Sequence, residues 1–284
     1  MLTDYHVHLR SDDLTASAAE HFTRENSERY RAVARERGIA ELGVSEHVYR
    51  FSQSLAVWDH PFWRENATDD LDAYCSIVRE QTDLRLGIEA DFIPGREQQI
   101  AELLDGRDFD YVVGSVHFVG HSEDPAAFVA VDMEDYGAWR AGWSPEDLWR
   151  TYFCALGEAA ASGLFDILAH PDLVKVFGER HPPPPGDLRR FYELAMDGIA
   201  QSGIAVEVST AGLRKPAEEI YPSRAFLAMA REAGAQVALS SDAHAPQDIG
   251  ADYGSALELL AAMDVQELCV FERRARRVEP IGPT

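Results

Sequence analysis

Six of the ten histidines close short apolar, β-branched runs. The first run ends His6-Val7-His8, the second Ser45-Glu46-His47, and the fourth Ser115-Val116-His117. The fifth ends Ala169-His170-Pro171, and the seventh runs Ser241-Asp242-Ala243-His244. The third carries Ile88-Glu89-Ala90-Asp91. Singly, each piece is weak: a strand-end histidine is more often a hydrogen-bonded structural residue, and Glu89 also suits a buried ion pair. Together they depart from random scatter, which would put most histidines on helices and loops. His21, His121 and His181 do fall there, as solvent-facing residues, and His60 lies in a loop. Imidazole and carboxylate without thiolate suit Zn²⁺, Mn²⁺ or Fe²⁺. The ligands exceed the needs of one tetrahedral ion, so two or more metals are implied, with Glu89 able to bridge. Metals about 3.5–4 Å apart can share and ionise a water and polarise a phosphoryl oxygen. That chemistry is hydrolysis.

These residues need a scaffold that brings strand ends together. Strand patterns occupy 2–9, 40–47, 85–92, 111–118, 166–170, 205–210 and 236–241. Helical patterns lie between or after them at 25–38, 69–82, 145–163, 188–203, 223–234 and 254–263. The alternation predicts an α/β protein with a parallel sheet inside and helices outside. About seven such units predict a closed or nearly closed barrel, a single domain over 1–284. In such a barrel the C-terminal strand ends meet at one face. His6 and His8, two apart, point to one side of a strand. The same holds for Asp242 and His244 if the chain stays extended there. Two insertions interrupt the pattern. Segment 52–67 is rich in aromatics (Trp58, Phe62, Trp63), and 120–142 is acidic and turn-prone. Each is either a lid or substrate-binding loop, or an ordinary packed insertion.

Composition narrows the partners. With 26 Lys+Arg against 49 Asp+Glu the net charge is -23, unsuited to a nucleic-acid backbone or an anionic membrane. Hydrophobic residues make up 46%, which excludes wholesale disorder. Cys75, Cys154 and Cys269 are far apart and lack a CxxC, giving no disulfide framework or thiolate site; each is expected half-buried on a helix. No run approaches a membrane span or a leader peptide, so a cytoplasmic protein is expected. Nothing in the pattern fixes an oligomeric state.

The ordered set His6-Val7-His8, Ser45-Glu46-His47, Gly87-Ile88-Glu89, Gly114-Ser115-Val116-His117, Ala169-His170-Pro171 and Ser241-Asp242-Ala243-His244 resembles the polymerase-and-histidinol-phosphatase (PHP) domain family. The segments 114–118 and 209–216 look more like its histidinol-phosphatase branch. The resemblance spans His6 to His244 and implies a distorted (β/α)7 barrel with two or three divalent metal ions (Zn, Mn or Fe). His6, His8, Glu89 and Asp242 would hold one ion. Glu89 would bridge to a second on His117 and His170, and His47 and His244 would hold a third. Many members have a further histidine beyond the His-x-His. This chain has Ser11-Asp12-Asp13-Leu14 instead, so either Asp12 or Asp13 substitutes, or the third metal is weak or absent.

The implied activity is hydrolysis of a phosphate monoester, first of all L-histidinol phosphate in histidine biosynthesis. A metal-bridging hydroxide would attack phosphorus, with Glu89, Asp242 and His244 as the catalytic set. Phosphate needs fixed cations as well. Arg214 and Lys175 follow strand ends, and Arg50 follows His47; Arg214, able to grip phosphate with two parallel hydrogen bonds, is the first candidate. The substrate amine and imidazole would meet Asp91 or a loop acid. The alternatives are a phosphatase or phosphodiesterase of the same fold acting on a nucleotide or another small phosphate, and a non-catalytic metal-binding module.

Overall fold

A computed structural model describes the protein over residues 1–11, 17–120 and 127–282. Asp12, Asp13 and His121 lie outside the described residues. Seven parallel strands form the main sheet in the order β1 (Leu2–Asp4), β2 (Ile39–Val44), β3 (Arg85–Asp91), β4 (Tyr111–Ser115), β7 (Ile167–Leu168), β8 (Ala205–Ser209) and β9 (Val237–Ser240). Between β4 and β7 in the chain, β5 (Phe118–Val119) and β6 (Val129–Ala130) form a small antiparallel pair. Strands β4 and β8 are buried at every residue, as a parallel sheet covered by helices requires.

Helices α2 (Arg24–Glu36), α4 (Leu71–Gln81), α6 (Pro145–Ala161), α7 (Arg189–Ser202), α8 (Arg224–Glu232) and α9 (Tyr253–Ala262) fall where the spacing places them. Thr23, Asp70, Ser144 and Ser223 cap their helices by accepting from the backbone amides of Asn26, Ala73, Asp147 and Phe226. Helices α1 (Ala18–His21), α3 (Pro61–Asn66) and α5 (Glu97–Leu104) were not expected. Helix α5 is short, and its N-cap Arg96 offers no side-chain hydrogen bond, so the usual N-cap signal is missing.

The ring closes without a ladder. Strands β1 and β9 run side by side. Just beyond their ends Val7 bridges to Ala243, and His8 N donates to Ala243 O at 2.8 Å. The barrel seam therefore carries His6 and His8 on one lip and Asp242 and His244 on the other. The strands are shorter than the expected 2–9, 40–47 and 166–170, because the residues beyond Asp4, Val44 and Leu168 leave the ladder at the barrel mouth. The expectation of an extended chain through Asp242 fails: Asp242 has φ +50°, and His170 has φ +24°.

The opposite end is closed by a C-terminal hairpin, β10 (Glu267–Glu272) and β11 (Ala275–Pro280). Its turn residues Arg273 and Arg274 reach Asp110 through their amides, at 3.1 Å to Oδ1 and 2.8 Å to the carbonyl. Tyr5 meets Tyr111 and Phe271 edge-on, with centroids 4.9 and 5.5 Å apart. The Tyr111 side chain lies against Gly43 and Gly87, where an added Cβ would stand 2.3 Å from it. Glycine is required on both strands for that close approach.

The three cysteines are free, but their expected setting is partly wrong. Cys75 is buried and Cys154 exposed, both on helices, whereas Cys269 is buried in β10. His181 is half-buried and stacks on Trp139 at 4.3 Å, and His21 is also half-buried; neither simply faces solvent. No helix among the described residues is long and apolar enough to cross a membrane.

Candidate metal centre

The barrel mouth gathers every histidine that closes a strand pattern. His6 Nε2 lies 3.3 Å from Glu89 Oε2 and 3.6 Å from Asp242 Oδ1. His8 Nε2 lies 3.6 Å from the same Glu89 oxygen and 3.4 Å from the same Asp242 oxygen. Nitrogen and oxygen ligands about 2.0–2.1 Å from one tetrahedral ion stand about 3.4 Å apart. The other Glu89 oxygen, Oε1, is 3.4 Å from His117 Nε2 and 3.2 Å from His170 Nε2. A third group joins His8, His47 and His244, with 3.3 Å between the Nε2 atoms of His47 and His244. The His8 ring stacks on both, at 4.1 and 4.2 Å. Asp12, the expected partner in this third group, lies outside the described residues.

The donor set fits divalent cations. His6 Nε2, both nitrogens of His8, Glu89 Oε2 and Asp242 Oδ1 are buried without a hydrogen-bond partner. Such orphaned groups are costly unless something else satisfies them, and lone pairs converging from three sides suit a metal ion. Burial alone would raise the Glu89 carboxyl, but His47, His6 and His117 pull it well below the usual carboxylate range. Asp242 is likewise held well below by His6 and His8 against the effect of burial. Burial, then the neighbouring His47 and His244, push His8 well down, so this imidazole is held neutral, the form that coordinates metal.

A ring of carboxylates, of which sequence reasoning assigned only Asp91, orients these side chains. Glu207 on β8 is buried, takes His6 Nδ1 at 2.8 Å, and accepts from the His170 amide at 2.6 Å and Ser240 Oγ at 2.5 Å. Asp91 takes His117 Nδ1 at 2.7 Å. It thus backs an imidazole of the cluster, where a contact to the substrate amine or imidazole was expected. Burial works to lower His117, but Asp91 and Glu89 outweigh it and raise this imidazole to about 10. Asp4 accepts from Ser241 N and Oγ at 2.9 and 2.5 Å, fixing the turn into Asp242. Glu46 accepts from Leu9 N at 2.5 Å and Arg50 at 2.8 Å. Glu207, a lone carboxylate inside Val206-Glu207-Val208, carried the same signal as Glu89 and was overlooked because no histidine follows it.

The expected phosphate cations are placed unevenly around a mouth cavity of about 450 Å³. Arg50 lines it, bonded to Glu46 and the Arg10 carbonyl. Lys175 does not reach the mouth. A single turn at Leu173–Lys175 folds it inward, where it is buried against Asp172 at 2.8 Å, Glu219 at 2.9 Å and the Ile220 carbonyl at 3.0 Å. Arg214 donates to the carbonyls of Ser241, at 2.6 Å, and Asp242, at 3.4 Å. Its neighbour Lys215 lines the cavity and, among the described residues, makes no ion pair.

The two insertions form part of the cavity wall. Trp58 and Trp63 of the first are buried, and His60 stacks on Trp58 at 4.2 Å, so most of 52–67 is packed core. Phe62 faces the cavity. From the second, Asp132 and Met133 reach it.

Fold and site together define a parallel α/β barrel whose strand ends build a buried imidazole–carboxylate cluster of metal-ligand type. A model of the PHP domain matches residues 6–211. A probable histidinol-phosphatase of Deinococcus radiodurans is 33% identical over 238 residues, covering 81% of this chain and 84% of that protein. The histidinol-phosphatase of Bacillus subtilis is 27% identical over 191 residues, covering 63% and 70%. A crystal structure of histidinol phosphate phosphatase from Lactococcus lactis, complexed with Zn, L-histidinol and phosphate, shares the fold: TM-score 0.67, 17% identity, 97% of this chain and 98% of that one. The chain belongs to the PHP domain family, in its histidinol-phosphatase branch.

Proposed function

We propose that the protein hydrolyses L-histidinol phosphate to L-histidinol and inorganic phosphate, as a phosphoric monoester hydrolase of histidine biosynthesis. The observation that carries the reading is the set of orphaned, mutually spaced ligand atoms on His6, His8, Glu89 and Asp242, in a chain whose relatives bear that name. Those four residues would hold one ion, and His117, His170 and the second Glu89 oxygen another. His47 and His244, with His8 beside them and Asp12 as a further candidate, would hold a third. Zn²⁺, Mn²⁺ and Fe²⁺ all suit such ligands. When bound, the ions supply Lewis-acid activation of water and neutralise charge on the phosphoryl oxygens.

The chain's own residues do the rest. Glu207 and Asp91 hold the Nδ1 atoms of His6 and His117, so that each ring presents Nε2 to the mouth. Lys215 and Arg50 supply fixed positive charge for the phosphate. Arg214 acts one step back, holding the turn that presents Asp242. Three free cysteines fit a reducing, cytoplasmic setting. The test is steady-state kinetics on L-histidinol phosphate beside an aryl phosphate and a nucleoside monophosphate. The expected kcat/KM preference for histidinol phosphate is about 100-fold or more; equal values would remove this substrate.

A further inference from the structure

The mouth cavity is lined by four cations, Arg10, Arg50, Arg180 and Lys215, but by only two carboxylates among the described residues. One, Asp242, belongs to the imidazole cluster. The other, Asp132, lies in the insertion after β4, where Val131 N bonds the His117 carbonyl at 2.9 Å. That bond ties Asp132 to the His117 side of the mouth. Its Oδ1 is buried and accepts no hydrogen bond. Of the three cations besides Lys215, Arg10 is paired with Asp69, Arg50 with Glu46 and Arg180 with Glu134. None is spent on Asp132; Lys215, His117 and His170 face it through space, but none donates a hydrogen bond to its Oδ1. A buried carboxylate oxygen without a donor, facing a ligand cavity, is costly unless the ligand brings the donor.

We propose that Asp132 is a specificity-determining residue that receives the substrate's α-ammonium group. The inference rests on the substrate proposed above. In that molecule the ammonium is separated from the ester oxygen by two carbons, and the imidazole lies further out. With phosphorus at the cluster, two carbons leave the ammonium within reach of the mouth wall beside His117, where Asp132 lies. The imidazole is left to the apolar and aromatic wall of Phe62, Leu173 and Phe177. A site built to take a hydrogen-bond donor rejects the analogue that lacks it, because its buried acceptor is left unpaired.

The test compares L-histidinol phosphate with its desamino analogue, the same imidazolyl alkyl phosphate without the amine, on the metal-loaded wild-type protein and on Asp132→Asn. Wild type should lose about 10- to 100-fold in kcat/KM on removal of the amine. Asp132→Asn should show little further difference between the two esters. A variant that merely misfolded or lost metal would lower both esters alike and preserve their ratio. Calorimetry adds a readout apart from turnover: Asp132→Asn should weaken binding of L-histidinol more than binding of inorganic phosphate. A wild-type protein indifferent to the amine, or a ratio unchanged in Asp132→Asn, overturns the proposal. Failure of the substrate reading itself would show differently, as wild type treating histidinol phosphate no better than an aryl phosphate.

Discussion

The two ends of the barrel are built on opposite principles. At the floor, Tyr5, Tyr111 and Phe271 pack edge to face under the hairpin, and in that cluster only the Tyr111 hydroxyl lacks a partner. At the mouth, backbone geometry is forced, with Asp242 and His170 at positive φ, and ligand atoms crowd one another unsatisfied. Non-glycine residues in that region cost stability, and the floor's hairpin carries the same cost at Arg273 and Arg274; the mouth differs in its crowd of unsatisfied ligand-type atoms. The floor contributes the packing energy that lets the mouth stay frustrated. Both ends use the same strands, so a single register serves stability at one end and chemistry at the other.

Breaking the mouth should cost chemistry and leave the fold. Glu89→Ala, which removes the carboxylate shared by two ligand groups, should lower kcat/KM by about 1000-fold or more and reduce bound metal. Kinetics with elemental analysis checks both, and retained turnover would end the bridging role. Breaking the floor should do the reverse. Phe271→Ala should destabilise by about 3–5 kcal/mol in urea unfolding, with metal content per folded chain unchanged.

Smaller effects sharpen the contrast. Glu207→Gln places an amide where the His6 Nδ1, the His170 amide and Ser240 all need an acceptor. It should weaken metal affinity about 10- to 100-fold, measured by chelator competition. Lys215→Ala should raise KM for phosphate monoesters more than Arg214→Ala does, since of the two Lys215 lines the cavity and makes no ion pair among the described residues; the reverse order would return the phosphate contact to Arg214. The last effect lies in the packed insertion 52–67. Burial holds His60 down at about 4, so between about pH 6.5 and 4 the unfolded chain takes up a proton that the native state refuses. Stability should fall as pH drops through that window, and His60→Phe should flatten this part of the slope. Equal pH profiles would show that burial does not hold His60 neutral in the native state.

Much of the mouth was legible in the sequence because its signals are local. A β-branched run followed by His or Asp states both the strand and the end at which chemistry sits; six of the seven strands lie within their expected spans, and β2 starts one residue earlier, at Ile39. What escaped depends on tertiary contact. The C-terminal hairpin turns on Arg273-Arg274 at positive φ, without the Asn or Gly that marks a two-residue hairpin turn. Lys175 reads as a mouth cation until one helical turn carries it to Asp172. Asp91 reads as substrate-facing until the register of β3 against β4 sets it beside His117. Asp132 sits in an insertion whose pattern carries no period at all.

The central claim is that the converging strand ends are a metal centre on which ester hydrolysis depends. Its most direct test is elemental analysis of the protein after chelation and after reconstitution with Zn²⁺ or Mn²⁺, read beside turnover of L-histidinol phosphate. Two or three ions per chain are predicted, with turnover lost on stripping and restored with the metal. A chain that takes up only trace metal, or that turns over equally well when stripped, would contradict the account.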